Sequence, residues 1–567
     1  YMNTIIKKGL VFSLAVALAG CLASCDDTLD EVVYSELTPD NAFVTKDDAL
    51  AAVNGTYERL IPLTNRAIFY LNDMTTDVCY HAEMDCELLN ELKLNANMDV
   101  QQVWDCMYQT ISRCNIAIDN IPNIPLSEFG VEEEDAKALR DSYIAEAKFM
   151  RGFAYYQLTD FFYTVPLVTD SKTPVDAKLA PSSIEDIEMQ IDKDLREAKA
   201  VLPQKYDSRS DAGRATFSAA AGYLAKLHMR IAGRMRLNGE DGRDEWTTAL
   251  GYVNEIMALE NSVHTLQPRV WDVFNPDDEN CKYNNELIFT VHSNPAGTGG
   301  TSDIGMNFTP WNYDCGWDLF SIPLELAWKF DREDERYTVL MVTAFPDIYE
   351  PENINYTIPE SVEKTGAVYE EWKTPEGVTQ KLVELGAAYT QKYKYQNALS
   401  YNYNTGNNMP LLRFADIVLC KAEILNELNG PTREAVDLVN KIRERAFQNQ
   451  EHNLKLEDYA TTDDLREAIC DERAFELNNE GVRRPDLIRM GLWKDRLNKY
   501  IAGIKLKSEW QEKNANAQNG GSYDYSSMWK VYPQDLTEDD IRRYFPVPKR
   551  ESDLNQALLN CRSFVKK

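Results

Sequence analysis

One stretch constrains the fold of this chain more than any other: LLRFADIVLCKAEILNELNGPTREAVDLVNKIRERAF, residues 411–447. Apolar side chains recur in it at steps of three and four, the period of one buried face of an α-helix. Ala415, Val418, Ala422 and Leu425 form a first stripe. Asn429-Gly430-Pro431 interrupts it, since proline cannot continue a helix and glycine suits its end. Thr432 is placed to N-cap a second helix, and Ala435, Leu438, Ile442 and Ala446 line its inner face. Two helices joined by so short a turn must pack on each other.

The same period returns elsewhere. In AEAKFMRGFAYYQLTDFF, Ala147, Met150, Ala154, Leu158 and Phe161 share a face, and Thr164-Val165-Pro166 ends the helix. GRATFSAAAGYLAKLHMRIAG carries Ala219, Ala220 and Ala221, small enough to let a neighbouring helix approach closely. DDLREAICDERAFELNNEG starts with Asp463 and Asp464, favourable beside the N-terminal end of the helix dipole. The expectation is an all-α fold of tetratricopeptide-like helix pairs, without a strict 34-residue consensus. Residues 265–410 differ. They are rich in Asn, Gly, Pro, Tyr and Trp and show few helical stripes, which marks a long loop-rich region of the kind that carries function. The expected division is a helical part over 39–264 and a part over 265–567 that joins the loop-rich ligand region to C-terminal helices.

The first residues read as a targeting segment. Lys7 and Lys8 precede an apolar run over 9–19, too short for the ~20 residues of a membrane span but right for a secretory signal. Leu18-Ala19-Gly20-Cys21 and Leu22-Ala23-Ser24-Cys25 both resemble a bacterial lipobox, where the signal is cut before a cysteine that receives lipid. Cys25 is the expected lipidation site, because Asp26 and Asp27 follow it and resemble a surface-export signal. An ordinary signal with incidental cysteines is the alternative. Residues 1–24 are then the signal peptide and 25–38 a tether.

Charge narrows the partners. The formal net charge is −31, and removing Lys7 and Lys8 with the signal takes it to −33. Such a surface repels nucleic acid and anionic lipid. Eleven cysteines include no CxxC pair, and the five histidines have no metal-ligand spacing, so no cofactor is expected. Cys420 and Cys470 fall on helical stripes as small buried hydrophobes, while Cys79 and Cys86 could form one disulfide in an oxidising compartment, which spacing alone does not show. DREDER (331–336) and NPDDEN (275–280) are acidic enough to admit a structural calcium ion. Neither has the EF-hand order, and solvated charge accounts for both.

Two constellations bear on chemistry. Glu472, Glu476 and Glu480 share one helix face, and two carboxylates could serve glycoside hydrolysis. Pairing with Arg443, Arg445, Arg473 and Arg483 between helices is the favoured reading. The second constellation is aromatic. Trp311, Tyr313 and Trp317 fall within seven residues, among Asn307, Asn312 and Asp314. Rings beside short polar side chains suit a sugar, whose C–H face stacks while its hydroxyls take hydrogen bonds. A small local core under the loop is the alternative. TTDVCYHAEMD, with Asp77, Tyr80 and His81, is a second such loop. LSYNYNTGNN, with Tyr401, Tyr403 and Asn407, is a third. Three loops on one scaffold would converge on a shallow site.

In order and spacing, these blocks resemble the SusD/RagB family of outer-membrane nutrient-binding lipoproteins. The resemblance rests on SCDDTLDE, LTPDNAFVTKDDALAAVNGTYERL, AEAKFMRGFAYYQLTDFFYTVPLV, GRATFSAAAGYLAKLHMRIAG, LLRFADIVLCKAEILNELNG, AVDLVNKIRERA, DERAFELNNEGVRRPDLIRMGLW and YFPVPKRESDLNQALLN. One departure stands out: Tyr163 and Thr164 occupy a turn where Gly-Asp is common. The resemblance implies a non-catalytic protein, lipid-anchored on the cell surface of a Gram-negative bacterium. It would capture an oligosaccharide and act as a lid over a SusC-like TonB-dependent transporter. A peptide ligand, as in RagB-like members, is the alternative. The resemblance also admits other surface glycan-binding lipoproteins or glycoside hydrolases as neighbours. The expected ligand-binding residues are Asp77, Tyr80, His81, Trp311, Tyr313, Trp317, Tyr403 and Asn407.

Overall fold

The computed structural model describes residues 42–74, 76–79, 97–174, 176–275, 278–293, 304–309, 317, 319–327, 329–342, 344–346, 354–356, 370–373, 379–382, 388–393, 406–502 and 544–560. Its frame is helical. In the N-terminal half, α1 (Lys46–Tyr57), α2 (Met98–Asn120), α3 (Glu133–Phe162), α4 (Ile184–Lys199), α5 (Phe217–Leu237) and α6 (Arg243–Met257) follow one another. A helical segment over 60–72 joins the first two. The C-terminal half holds α7 (Phe414–Asn429), α8 (Arg433–Phe447), α9 (Thr462–Leu477), α10 (Arg483–Met490) and α11 (493–502).

Neighbours in the frame run antiparallel, as their cross-links record. Lys148 of α3 meets Glu197 near the end of α4, and Arg151 meets Asp194 one turn earlier. Glu188 and Asp192 of α4 face Arg234 and His228 of α5 in reverse order. The N-caps agree with the sequence: Thr432 accepts from the Ala435 amide at 3.2 Å. Thr461 caps α9, Asp463 and Asp464 lie in its first turn as expected, and Asp464 closes a capping box with Thr461. The stripe Ala415, Val418, Ala422, Leu425 is buried as expected. On α8 the buried face is turned slightly: Val436 and Val439 are fully buried while Leu438 is only partly so. Both flanks of that stripe are apolar, so α7 and α9 decide its rotation.

Region 265–410 is more regular than its composition suggests. Among the described residues it supplies most of four two-stranded antiparallel ribbons: β1 (Leu287–Val291) with β8 (Met409–Arg413), β2 (Met341–Val342) with β7 (Tyr389–Thr390), β3 (Ala344–Pro346) with β4 (Ile354–Tyr356), and β5 (Glu370–Lys373) with β6 (Thr379–Leu382). Strands of two to five residues are too short to leave a clear alternation in sequence. The β1–β8 ribbon carries an irregular register, and Pro410 sits in it opposite Thr290. A two-stranded ribbon has edges on which proline costs no ladder bond.

One apolar cluster runs from Leu60 to Leu558 and takes in residues from both halves. Tyr163 holds φ +66°, a conformation usually left to glycine, and its ring packs on Tyr544 at 4.7 Å between centroids. No helix among the described residues is long and apolar enough to cross a membrane.

Candidate functional site

The roots of the three aromatic loops meet at one place. The segment 60–72 opens into a π-turn over Leu63–Ala67. One extra residue in a turn displaces the backbone groups around it, and such bulges recur at functional positions. Here the carbonyl of Asn65 accepts from Nδ2 of Asn307 at 2.6 Å, which ties the second loop to this segment. The next residue, Arg66, places its guanidinium 4.0 Å from the Tyr70 ring centroid. Its Nε donates to Oδ1 of buried Asp99 at 3.1 Å.

The second loop leaves and returns through a closed neck. The short helix Ile304–Phe308 precedes it. The amide of Trp317 then donates to the Met306 carbonyl at 2.8 Å, and those of Leu319 and Phe320 both donate to the Asn307 carbonyl. The ends are thereby fixed a few ångströms apart, and Trp317, half-buried, packs on the main core. Beneath lies an aromatic cluster to which every loop contributes a flank. Phe69 belongs to the first, Phe308 and Phe320 bracket the second, and Tyr393 precedes the third. Phe308 lies 5.2 Å from Phe69, 4.7 Å from Phe320 and 5.1 Å from Tyr393. Tyr393 also donates to Sδ of Met409, two residues after Asn407.

Of the expected ligand residues, Asp77, Trp317 and Asn407 lie within this description. Asp77 is committed to Arg483, with Oδ1 at 2.7 Å from Nε and Oδ2 at 2.9 Å from Nη2. Burial would raise its carboxyl, but the Arg483 guanidinium outweighs that and holds it below the usual carboxylate range. Its side chain is 15% exposed, so only an edge faces outward. Asn407 is buried. Tyr80, His81, Trp311, Tyr313 and Tyr403 lie outside the described residues, as do Cys25 and Cys86.

The base of the first loop is clamped to the C-terminal half. Asn72 Nδ2 donates to the Gly481 carbonyl at 2.8 Å, and Asp73 accepts from the amides of Gly481 and Arg483. Gly481 has φ +72°, and a Cβ there would lie 3.1 Å from Ile68. The backbone sign favours glycine, and the space beside Ile68 is tight as well. Asp73 is fully buried, and the loss of water raises its carboxyl to about 7.

The glutamate row is used up by ion pairs. Glu472 bonds Arg336 at 2.6 Å and Arg443 at 2.9 Å. Glu476 meets Arg413 at 2.7 Å, Arg336 at 3.2 Å, and Arg445. Glu480 holds Lys392 and Arg413, each at 2.7 Å. All three glutamates are at most 4% exposed. Glu286, which directly precedes β1, joins the network through Arg413 and Arg445, so the β1–β8 ribbon is what closes it. The expected pairing with Arg443 and Arg445 holds, but Arg473 and Arg483 pair elsewhere. Arg473 binds Asp416 and Asp486, and Arg483 binds Asp77. Helix rotation decides which face an arginine takes, and charge spacing alone does not carry it. Arg336, Lys392 and Arg413 were not evident in sequence, because they come from the ribbon region. Arg66 and Tyr70, four apart on a helix, did carry a local signal as a cation–aromatic pair.

Among the described residues no group of His, Cys, Asp or Glu is arranged to hold a metal ion. Asp334 of DREDER pairs with Arg336, and Glu279 of NPDDEN with Arg209.

The chain is similar in sequence and in fold to known proteins. Residues 285–561 match the SusD family, and residues 33–229 match a SusD-like family described as starch-binding and associating with the outer membrane. SusD-like protein P25 of Formosa agariphila is 28% identical over 527 residues, covering 87% of this chain and 90% of that protein. A SusD homologue from Bacteroides thetaiotaomicron superposes with a TM-score of 0.72 at 22% identity, covering 92% of this chain and 97% of the other. Surface glycan-binding protein A from the same species, solved with laminarihexaose, superposes with a TM-score of 0.64 at 19% identity, covering 92% and 100%.

Proposed function

Because the chain belongs to the SusD family, we propose that it is a lipid-anchored, cell-surface protein that captures an oligosaccharide and acts as a lid over a SusC-like TonB-dependent transporter. The observation that carries the reading is the convergence of three aromatic loop roots on the cluster of Phe69, Phe308 and Tyr393. The neck closed at Trp317, Leu319 and Phe320 fixes the ends of the second loop, which lowers the ordering cost of binding. Tyr80, His81 and Tyr403 would add faces and hydroxyls from the other loops. Asp77 holds the start of its loop through Arg483 and offers the ligand one carboxylate edge, and Asn407, buried at the end of the third loop, would contribute its amide. The laminarihexaose complex of the B. thetaiotaomicron protein supports a glycan rather than a peptide. The protein would bind without turning over, since the glutamates that could act as acid and base are buried and saturated with arginine.

Calorimetric titration of the soluble chain against neutral oligosaccharides, laminarihexaose first, tests this. Trp311→Ala should weaken binding at least tenfold with the melting temperature unchanged. Unaltered binding would move the site elsewhere. Co-purified peptide, with no glycan bound, would replace the sugar reading by the peptide one. Mass spectrometry of the mature N-terminus should find lipid on Cys25.

A further inference from the structure

A second cleft, of about 590 Å³, lies between the 204–216 turn and the 280–292 arm. That is the size of a small-ligand site. None of its walls comes from the neck, the 60–77 segment or the aromatic cluster. Its floor is β1 and the residue after it, where Ile288, Thr290 and His292 point to one side at the period of a strand. Gly213 lets the turn come down on this floor. It has φ +86°, and a Cβ there would sit 2.8 Å from the Thr290 carbonyl and 3.0 Å from the His292 ring.

Two polar atoms of the floor are left over. Oγ1 of Thr290, in a residue 3% exposed, and Nδ1 of His292 make no hydrogen bond among the described residues. Buried polar groups normally find a partner, and leaving one without costs on the order of 1–3 kcal/mol. A hydroxyl, donor and acceptor at once, suits both. Burial, reinforced by nearby Lys282, lowers His292 to about 4, so the imidazole is neutral at pH 7. Tyr283 stands over the floor, stacked on His292 at 5.3 Å with 10° between planes, and it is among the few large apolar side chains left exposed. Arg209 covers the ring at 4.9 Å, but its ion pair with Glu279 is more than half exposed on both sides and yields at little cost. At the rim, Gln204, Gln267 and Asn280 add side-chain amides to the lining.

We propose that this cleft is a second saccharide-binding site, in which a sugar's C–H face rests on Tyr283 and its hydroxyls reach Thr290, His292 and the rim amides. The proposal rests on the reading that this chain binds glycans, but its location is independent of the loop site. With two sites on one molecule, a long polysaccharide would be held by both, and the second contact would raise its avidity.

Hydrogen–deuterium exchange of the full chain, with laminarihexaose and a panel of neutral oligosaccharides, tests it. Peptides over 204–216 and 280–292 should gain protection with at least one glycan. That protection should survive Trp311→Ala and vanish in Tyr283→Ala, whose exposed ring can be removed without unfolding the chain. Thr290→Val should weaken it several-fold, and Tyr283→Ala should lower avidity for the long polysaccharide about fivefold. Protection confined to the loop site, or cleft variants that bind like wild type, would overturn the second site and leave the first standing. Protection of the cleft alone, indifferent to Trp311→Ala, would keep this proposal and displace the loop site. Protection of the cleft by peptides and by no glycan would overturn it, as would the absence of any glycan binding, which would remove the functional reading as well.

Discussion

At the scale of single residues, the molecule is held by charges that never meet water. Glu476 touches three arginines in a region from which solvent is excluded. Desolvation by itself would raise its carboxyl, yet Arg445, Arg413 and Arg336 drive it far below the usual range. Such pairs are costly to assemble and costly to break, because removing one partner strands the others. Glu476→Gln should therefore destabilise by about 3 kcal/mol in urea unfolding. Glu434→Gln, at the 61% exposed end of a pair with Lys421, should change stability by less than about 0.5 kcal/mol. His228 gives a pH signature of its own. Burial would lower it, but Asp192 at 3.4 Å and Glu245 at 2.5 Å outweigh this and raise it to about 9. A raised histidine stabilises the fold fully below its unfolded value near 6.5, and the gain is lost as pH rises through 9. The difference in stability between wild type and His228→Gln should then be about 2–3 kcal/mol at pH 6 and shrink towards pH 9.5, as read from denaturant midpoints.

At the scale of elements, close packing between helices rests on glycines that are not interchangeable. Gly233 of α5 faces the backbone of Arg489, where a Cβ would come within 2.8 Å of a carbonyl oxygen. Gly251 of α6 has nothing within 4 Å. Gly233→Ala should cost about 1–3 kcal/mol by forcing α5 and α10 apart. Gly251→Ala should stabilise by about 0.4–1 kcal/mol, because it only restricts the unfolded chain. Thermal melts of the two variants would move in opposite directions. The contrast between them does not follow from helix propensity, which favours alanine at both positions alike.

At the scale of the whole molecule, the two halves share a core and a clamp. Asn72, Asp73 and Asp77 bind Gly481 and Arg483 across some 400 residues of sequence. The chain should therefore melt in one cooperative transition, with calorimetric and van't Hoff enthalpies in agreement. Two separate transitions would mean that the halves fold independently. The clamp bears on function too, since it fixes the base of the first loop against the scaffold that carries the other two.

What the sequence determined by itself was local: helices with their caps, the alanine stripes, the breaks between helices, and the loops rich in aromatic and amide side chains. These follow from periodicity and turn chemistry, which act over a few residues. The order of the blocks along the chain also pointed to the SusD family. Tertiary structure decided the rest. It set which arginine meets which glutamate, moving Arg473 and Arg483 to aspartate partners and bringing Arg336, Lys392 and Arg413 out of the ribbon region. It committed Asp77 to an ion pair. It also joined Thr290, His292, Tyr283 and Gly213 into one cleft. The physical reason is range. A cap or a stripe is complete within one or two turns of helix. A buried charge network or a binding cleft exists only where elements distant in sequence are packed together, and the angle at which they pack is set by the core as a whole.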